Sequence, residues 1–170
     1  MADVNERIVQ CYFELKGYMV TTNLKYMIKK KSSGESDIDL AIYRAEPLDR
    51  AIVEVKGWHT ETFTLSYFKK NTGDYRDRLL NFVRPEAQKV AQEFFRTYKF
   101  RKILVVPELA SRQREQIETK LKSEYDVDVI DFTEILKFVI SKTEANKNYG
   151  HSEFQQTIRL MKAYEFIKDF

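Results

Sequence analysis

Between Ser36 and Arg44 (SDIDLAIYR) the large aliphatic residues Ile38, Leu40 and Ile42 fall at every second position, with Asp37 and Asp39 on either side of the first of them, the two-residue period of a β-strand. Ala51 to Gly57 (AIVEVKG) predicts another strand, entered through the turn residues Glu46-Pro47-Leu48-Asp49. Tyr18 to Lys29, rich in Tyr, Val, Thr and Ile, predicts a strand before both, with turn chemistry at Ser32-Ser33-Gly34. These three strands are expected to form a meander. Helical spacing takes over on either side. Ile8, Val9, Tyr12 and Phe13 fall on one face of a helix from about Val4 to Lys16, with Asp3 placed to cap it and Gly17 to stop it. Pro85 suits the first turn of a helix reaching about Tyr98. Phe100 to Pro107 (FRKILVVP) predicts a buried-type strand, Ser111 to Glu124 a helix, and Val127 to Phe132 a further strand. Thr133 is expected to cap a helix to about Lys142. The polar stretch 143–150 reads as a linker. Ser152 then caps a last helix in which Phe154, Ile158 and Met161 keep helical spacing. The order predicts an α/β domain over residues 1–142, a central mixed sheet flanked by helices. Residues 143–170 form a linker and an extra C-terminal helix, packed on the domain or on a second copy.

Composition narrows the class without naming a chemistry. The 170 residues are enough for one domain with a real core; 43% are apolar and 32% charged, a globular mix. The single cysteine, Cys11, excludes an internal disulfide framework and a Cys-rich zinc site, and its place in a helical pattern suits packing. With only His59 and His151, a histidine-based metal site is not expected either. No run approaches the roughly 18 apolar residues of a membrane span, and Met1-Ala2-Asp3-Val4-Asn5-Glu6 does not look like a signal peptide, so a soluble cytoplasmic protein is expected. Net charge is +3, mildly basic, with clusters at Lys29-Lys30-Lys31, Lys69-Lys70, and Lys99 with Arg101-Lys102. Such clusters suit nucleic acid, and equally the charged strand edges that block aggregation.

The acidic residues of the central strands say more. Residues two apart in a strand share a face, which predicts Asp37 and Asp39 on one side and Ile38, Leu40 and Ile42 on the other. Ile52, Glu54 and Lys56 likewise share a face opposite Val53 and Val55. Neighbouring strands would then gather Asp39, Glu54 and Lys56 at one edge of a sheet whose other face is apolar. Two carboxylates beside an ammonium are costly to desolvate unless something is gained. A hard divalent cation supplies the gain. Mg²⁺ takes oxygen ligands, keeps several waters, and needs only one or two carboxylates plus a substrate phosphate. Asp39 and Glu54 provide the carboxylates, and the carbonyl of Val55 a further ligand. Such a cation acidifies a bound water and stabilises charge on the phosphate. Lys56 is placed to orient or help deprotonate that water and to offset the developing charge. Singly, each piece is ordinary: a Glu-x-Lys is most often a solvated pair, and Asp-Ile-Asp a polar strand face. Their combination carries the reading.

The run Ser33-Gly34-Glu35-Ser36-Asp37-Ile38-Asp39-Leu40-Ala41, followed by Ile52-Val53-Glu54-Val55-Lys56, resembles the PD-(D/E)XK nuclease superfamily. The likeness is closest to the archaeal Holliday junction resolvases and related restriction-endonuclease-like proteins, and spans roughly residues 4–106. It implies a restriction endonuclease-like core, with Asp39 and Glu54 as metal ligands, Lys56 as the motif lysine, and Mg²⁺ as cofactor with Mn²⁺ able to substitute. Glu6 stands where many members carry an extra metal ligand on the first helix, although Asp3-x-x-Glu6 is also a capping box. Asp37 replaces Asp39 if the register shifts, but Asp-Leu-Ala-Ile fits the family context better. Family helices after the motif often turn a glutamine toward the site, a place for Gln88 or Gln92. The proline of the family name is absent, since Ser36 precedes Asp37 and Ile38 precedes Asp39.

The resemblance implies a metal-dependent DNA endonuclease of repair, recombination or restriction, and a homodimer if both strands of a duplex are cut. Between Gly57 and Pro85, Trp58, Phe63, Tyr67, Phe68, Tyr75 and Phe82 interleave with Lys69, Lys70, Arg76, Arg78 and Arg84. That mixture suits stacking on bases beside phosphate contacts, and equally a flap on the core or a dimer contact. Two other expectations stand beside the enzyme: a non-catalytic DNA-binding or assembly protein on the same fold, and a structural domain whose charged strand ends are coincidental.

Overall fold

The computed structural model describes residues 3–28, 34–57, 62–69, 79–149 and 152–167. Helix α1 (Val4–Leu15) stops where Gly17 takes the left-handed conformation at φ 82°. Strands β1 (Met19–Ile28), β2 (Gly34–Arg44) and β3 (Asp49–Val55) follow as the expected antiparallel meander. Helix α3 (Pro85–Phe95) leads into β5 (Arg101–Val106). Helix α4 (Arg114–Tyr125) then leads into β7 (Val127–Asp131), and α5 (Phe132–Lys142) follows it. The sheet order is β1-β2-β3-β5-β7, with β3, β5 and β7 parallel, so the sheet is mixed and β3 lies at its centre.

Helices cover both faces. On one, Ile8, Val9 and Phe13 of α1 and Ile135 and Val139 of α5 pack on Leu40, Ile42, Val53 and Val105. On the other, Ala87 and Ala91 of α3 and Ile117 and Leu121 of α4 pack on Ile52, Leu104 and Val127. Helix α6 (Glu153–Ala163) joins the α1–α5 layer through buried Ile158, with Phe154 against it; Ser152 Oγ caps it, accepting from the Gln155 N–H at 3.3 Å. Among the described residues no helix is long and apolar enough to cross a membrane.

Several boundaries differ from expectation. The Pro85 helix ends three residues early because Arg96 turns left-handed at φ 53°. The Ser111 helix starts with a 3-10 turn, Ser111–Gln113. A small parallel pair, β4 (Thr62–Phe63) with β6 (Glu108–Leu109), and a short helix α2 (Ser66–Lys69) were not expected, since two-residue strands carry no period to read.

Asp131, rather than Thr133, caps α5. Its Oδ1 accepts from the Thr133 N–H at 2.8 Å and the Thr133 hydroxyl at 2.6 Å, and its Oδ2 from the Leu109 N–H at 2.9 Å. One buried carboxylate thus ties β6, β7 and α5 together. Asp131→Ala is expected to lower stability by roughly 2–3 kcal/mol in urea unfolding, with Asp131→Asn losing less, because it strands buried donors.

The β1–β2 hairpin departs from simple alternation. In β2, Ile38 lies in the α3 layer, whereas Leu40 and Ile42 lie in the α1 layer. In β1, Val20 packs in the α1 layer, but Leu24, Tyr26 and Ile28 pack in the α3 layer. Both strands therefore change face at the same level, between Thr22↔Leu40 and Leu24↔Ile38. Asn23, left-handed at φ 55°, makes the switch in β1. Asp39 makes it in β2.

Candidate functional site

Asp39 sits where β2 and β3 part. The last β2–β3 pair is Leu40↔Val53, and beyond it the Val55 N–H donates to Asp39 Oδ2 at 2.6 Å. A side-chain carboxylate thus takes the donor that a carbonyl would take in an unbroken ladder. The expected placement is corrected in two respects. The acids do not stand at a sheet edge opposite an apolar face; they stand in the middle of the sheet, and both faces are covered. Asp37 and Asp39 also do not share a simple strand face with Ile38, Leu40 and Ile42 opposite, because the alternation breaks at Asp39.

Glu54 shares the α3-side face with Ile52, as expected, and is 6% exposed. One of its oxygens, Oε1, accepts from Lys56 Nζ; the other, Oε2, is buried without a partner. The Lys56 N–H continues the parallel ladder to the Val105 carbonyl at 3.0 Å, which fixes the lysine at the end of the central strand. Glu6 is half-buried. Its carboxylate accepts from the Asp3 backbone N–H, which is the returning half of the capping box, while its Oε2 is buried without a partner. The forward half is missing, since the Asp3 side chain makes no capping bond and accepts from Asn5 Nδ2 at 3.1 Å instead.

These groups act on one another. Burial pushes the Glu54 carboxyl up to about 8, with the Asp39 charge adding to the rise and Lys56 opposing it. Burial lifts Asp39 to about 6; the Val55 N–H and Lys56 hold it down, and Glu6 and Asp37 push it further up. Glu6 is raised as well, first by burial and then by Asp3 and Asp37, against the bond from the Asp3 backbone. The carboxyl groups of Glu6, Asp37, Asp39 and Glu54, with the Lys56 ammonium bearing on Asp39 and Glu54, therefore form one electrostatic cluster on α1, β2 and β3.

The oxygens of Glu6, Glu54 and Asp39 suit a hard divalent cation, and Glu6 Oε2 and Glu54 Oε2 are two buried acceptors with no donor. As the side chains stand, with Glu54 on Lys56 and Asp39 on Val55, no group of three or more His, Cys, Asp and Glu is arranged to hold a metal among the described residues.

Gly57 ends the strand against α1. A Cβ there would lie 2.5 Å from Asn5 Nδ2 and 3.3 Å from Asp3 Oδ2, and Asn5 is buried. Gly57→Ala is expected to cost roughly 1–3 kcal/mol by overpacking, read from the urea midpoint, and to displace the turn that holds Glu6.

Other expected site residues are not gathered here. Gln88 Nε2 donates to the Phe82 carbonyl at 2.9 Å and so braces the Asn81–Val83 turn, and Gln92 uses its carbonyl to end α3. Arg101 forms a forked pair with Asp49 (3.0 and 2.6 Å) at the opposite end of β3. Phe63, Tyr67 and Phe82 are buried in the α3 layer, with Phe63 stacked on Tyr67 at 5.1 Å, so these three pack on the core. Lys69 ends α2, and its side chain is outside the described residues, as are Lys29, Lys30, Lys31, Trp58, His59, Lys70, Tyr75, Arg76, Arg78 and His151. Asn23, Asn5 with Gly57, and Tyr26 on the sheet face that carries Glu54 were missed from the sequence. Of these only Asn23 left a signal, as an asparagine inside a β-rich run.

The chain matches no family model, no curated protein and no solved structure.

Proposed function

We propose that this protein is a divalent-metal-dependent DNA endonuclease on a restriction endonuclease-like core, hydrolysing phosphodiester bonds at the Asp39–Glu54–Lys56 cluster. The observation that carries it is the cluster itself. The chain buries Asp39 and Glu54 at the parting of its central strands, beside Glu6, and leaves Glu54 Oε2 and Glu6 Oε2 without donors. A fold gains nothing from such an arrangement alone. Asp39, Glu54, Glu6 and the Val55 carbonyl would hold Mg²⁺, or Mn²⁺ in its place. A cation bound there acidifies a water and offsets charge on the phosphate.

The protein's own groups then divide the work. Asp39 stays fixed by the Val55 N–H, so its Oδ1 is presented from a rigid strand. Lys56 donates to Glu54 Oε1; with Glu54 serving as a metal ligand, its ammonium would be free to orient the attacking water and offset charge on the phosphate. Asp37 adds negative charge that favours cation entry. DNA is the proposed substrate, and a homodimer the proposed form for cutting both strands of a duplex.

The test is cleavage of plasmid, single-stranded, flap and four-way substrates by purified protein with Mg²⁺ or Mn²⁺. Activity that Glu54→Gln and Lys56→Ala both abolish is expected. If neither metal supports such cleavage, the enzyme reading fails. A second reading, a non-catalytic DNA-binding or assembly protein on the same scaffold, is favoured by one observation: Lys56 is closed onto Glu54 and Asp39 onto Val55. It predicts that Mn²⁺ binds the protein no better than the Glu54→Ala variant.

A further inference from the structure

Tyr26, on the outer half of β1, is 3% exposed, and its buried hydroxyl has no acceptor for its proton within hydrogen-bond distance. Phenylalanine would fill the same space without desolvating a hydroxyl. The ring packs in the α3 layer with Ile38, Ile52 and Leu104. Glu54 lies on that same face, two residues after Ile52 and directly opposite Leu104 in the β3–β5 register. Burial raises the Tyr26 hydroxyl most; the Ser36 hydroxyl, its register partner across the hairpin, lowers it as a hydrogen-bonding neighbour; the Glu54 charge then raises it, and Arg84 at the start of α3 opposes that. A buried donor with no acceptor and a buried acceptor, Glu54 Oε2, with no donor therefore lie on the same covered face of the sheet. The face switch at Asn23 and Asp39 creates this juxtaposition, since without it Tyr26 would point into the other layer.

We propose that Tyr26 is a positioning residue for Glu54: its hydroxyl donates to Glu54 Oε2, directly or through one bridging water, and sets how that carboxylate is presented to a divalent cation. The second half of this statement rests on the metal-dependent reading above; the first half does not. A residue that orients a metal ligand typically changes metal affinity 10- to 100-fold when lost. Tyr26→Phe removes one oxygen and keeps the ring, so the core remains filled.

Two measurements test it. Calorimetric Mn²⁺ titration of the wild type and Tyr26→Phe is expected to show about tenfold weaker binding in the variant, with unchanged circular dichroism. Thermal unfolding of the metal-free wild type, Tyr26→Phe, Glu54→Gln and the double variant is expected to be non-additive by about 3 °C. An additive cycle, or equal Mn²⁺ affinity in a wild type that binds Mn²⁺, overturns the proposal. A wild type that does not bind Mn²⁺ overturns the metal reading instead, and the cycle alone then decides whether Tyr26 holds Glu54.

Discussion

Glu54→Gln is expected to abolish metal-dependent cleavage, by about 10³-fold, and at the same time to make the metal-free protein more stable at alkaline pH. The two effects have one cause. The carboxylate is buried, and desolvation and Asp39 together resist its ionisation. The amide is isosteric, and its oxygen can still accept from Lys56, so the variant keeps the packing and the bond while losing the buried charge. A melting temperature higher by roughly 5 °C at pH 8.5, and nearly unchanged at pH 5, is expected. Lys56→Ala should lose as much activity with the opposite sign in stability, because it removes the cation that holds both Glu54 and Asp39 down. Unfolding both variants at both pH values checks this. A Glu54→Gln protein that is less stable at pH 8.5 would show that Glu54 is held as a structural ion pair.

The contrast between these variants depends on a feature that the sequence shows only in part. Alternation correctly places the strands and correctly pairs Glu54 with Lys56 on one face, because β3 is regular from Asp49 to Val55. It fails at Asp39 because a period of two assumes an unbroken ladder. Here the hairpin switches faces, Asn23 adopts φ 55°, and β2 leaves β3 after Leu40↔Val53. Such a break is decided by tertiary packing of the outer hairpin on α3. In the sequence, its trace is one asparagine among β-formers. The site residues contributed by other elements were harder still. Glu6 is legible as a helix-start acid, but its approach to the strands depends on Gly57 passing close to Asn5. Tyr26 reads as an ordinary strand aromatic, and only the face switch puts it on the face of the sheet that carries Glu54.

The metal-free protein should also lose stability as pH rises through neutrality, against the usual trend for a protein with paired carboxylates. Asp39 is raised from 3.8 to about 6, and Glu54 from 4.5 to about 8, chiefly by burial. The folded state therefore binds these protons more tightly than the unfolded chain. Their stabilising contribution is complete below about pH 4 and is lost as pH climbs through about 6 and then about 8. Asp49, held low by Arg101, and Asp126, held low by Lys122, work in the opposite sense, but their contribution disappears only in acid, below the ordinary carboxylate range. The two windows do not overlap. Among the described residues the cluster dominates between about pH 5 and 9, and a fall in melting temperature of roughly 5–10 °C is expected. A divalent cation should reverse it, since it binds the ionised carboxylates and only the folded state assembles them. Differential scanning calorimetry across this range, with EDTA and with Mg²⁺ in large excess over protein, should give curves that meet near pH 5 and diverge above pH 7. Curves that stay parallel across the range would mean that the cation does not bind at Asp39 and Glu54.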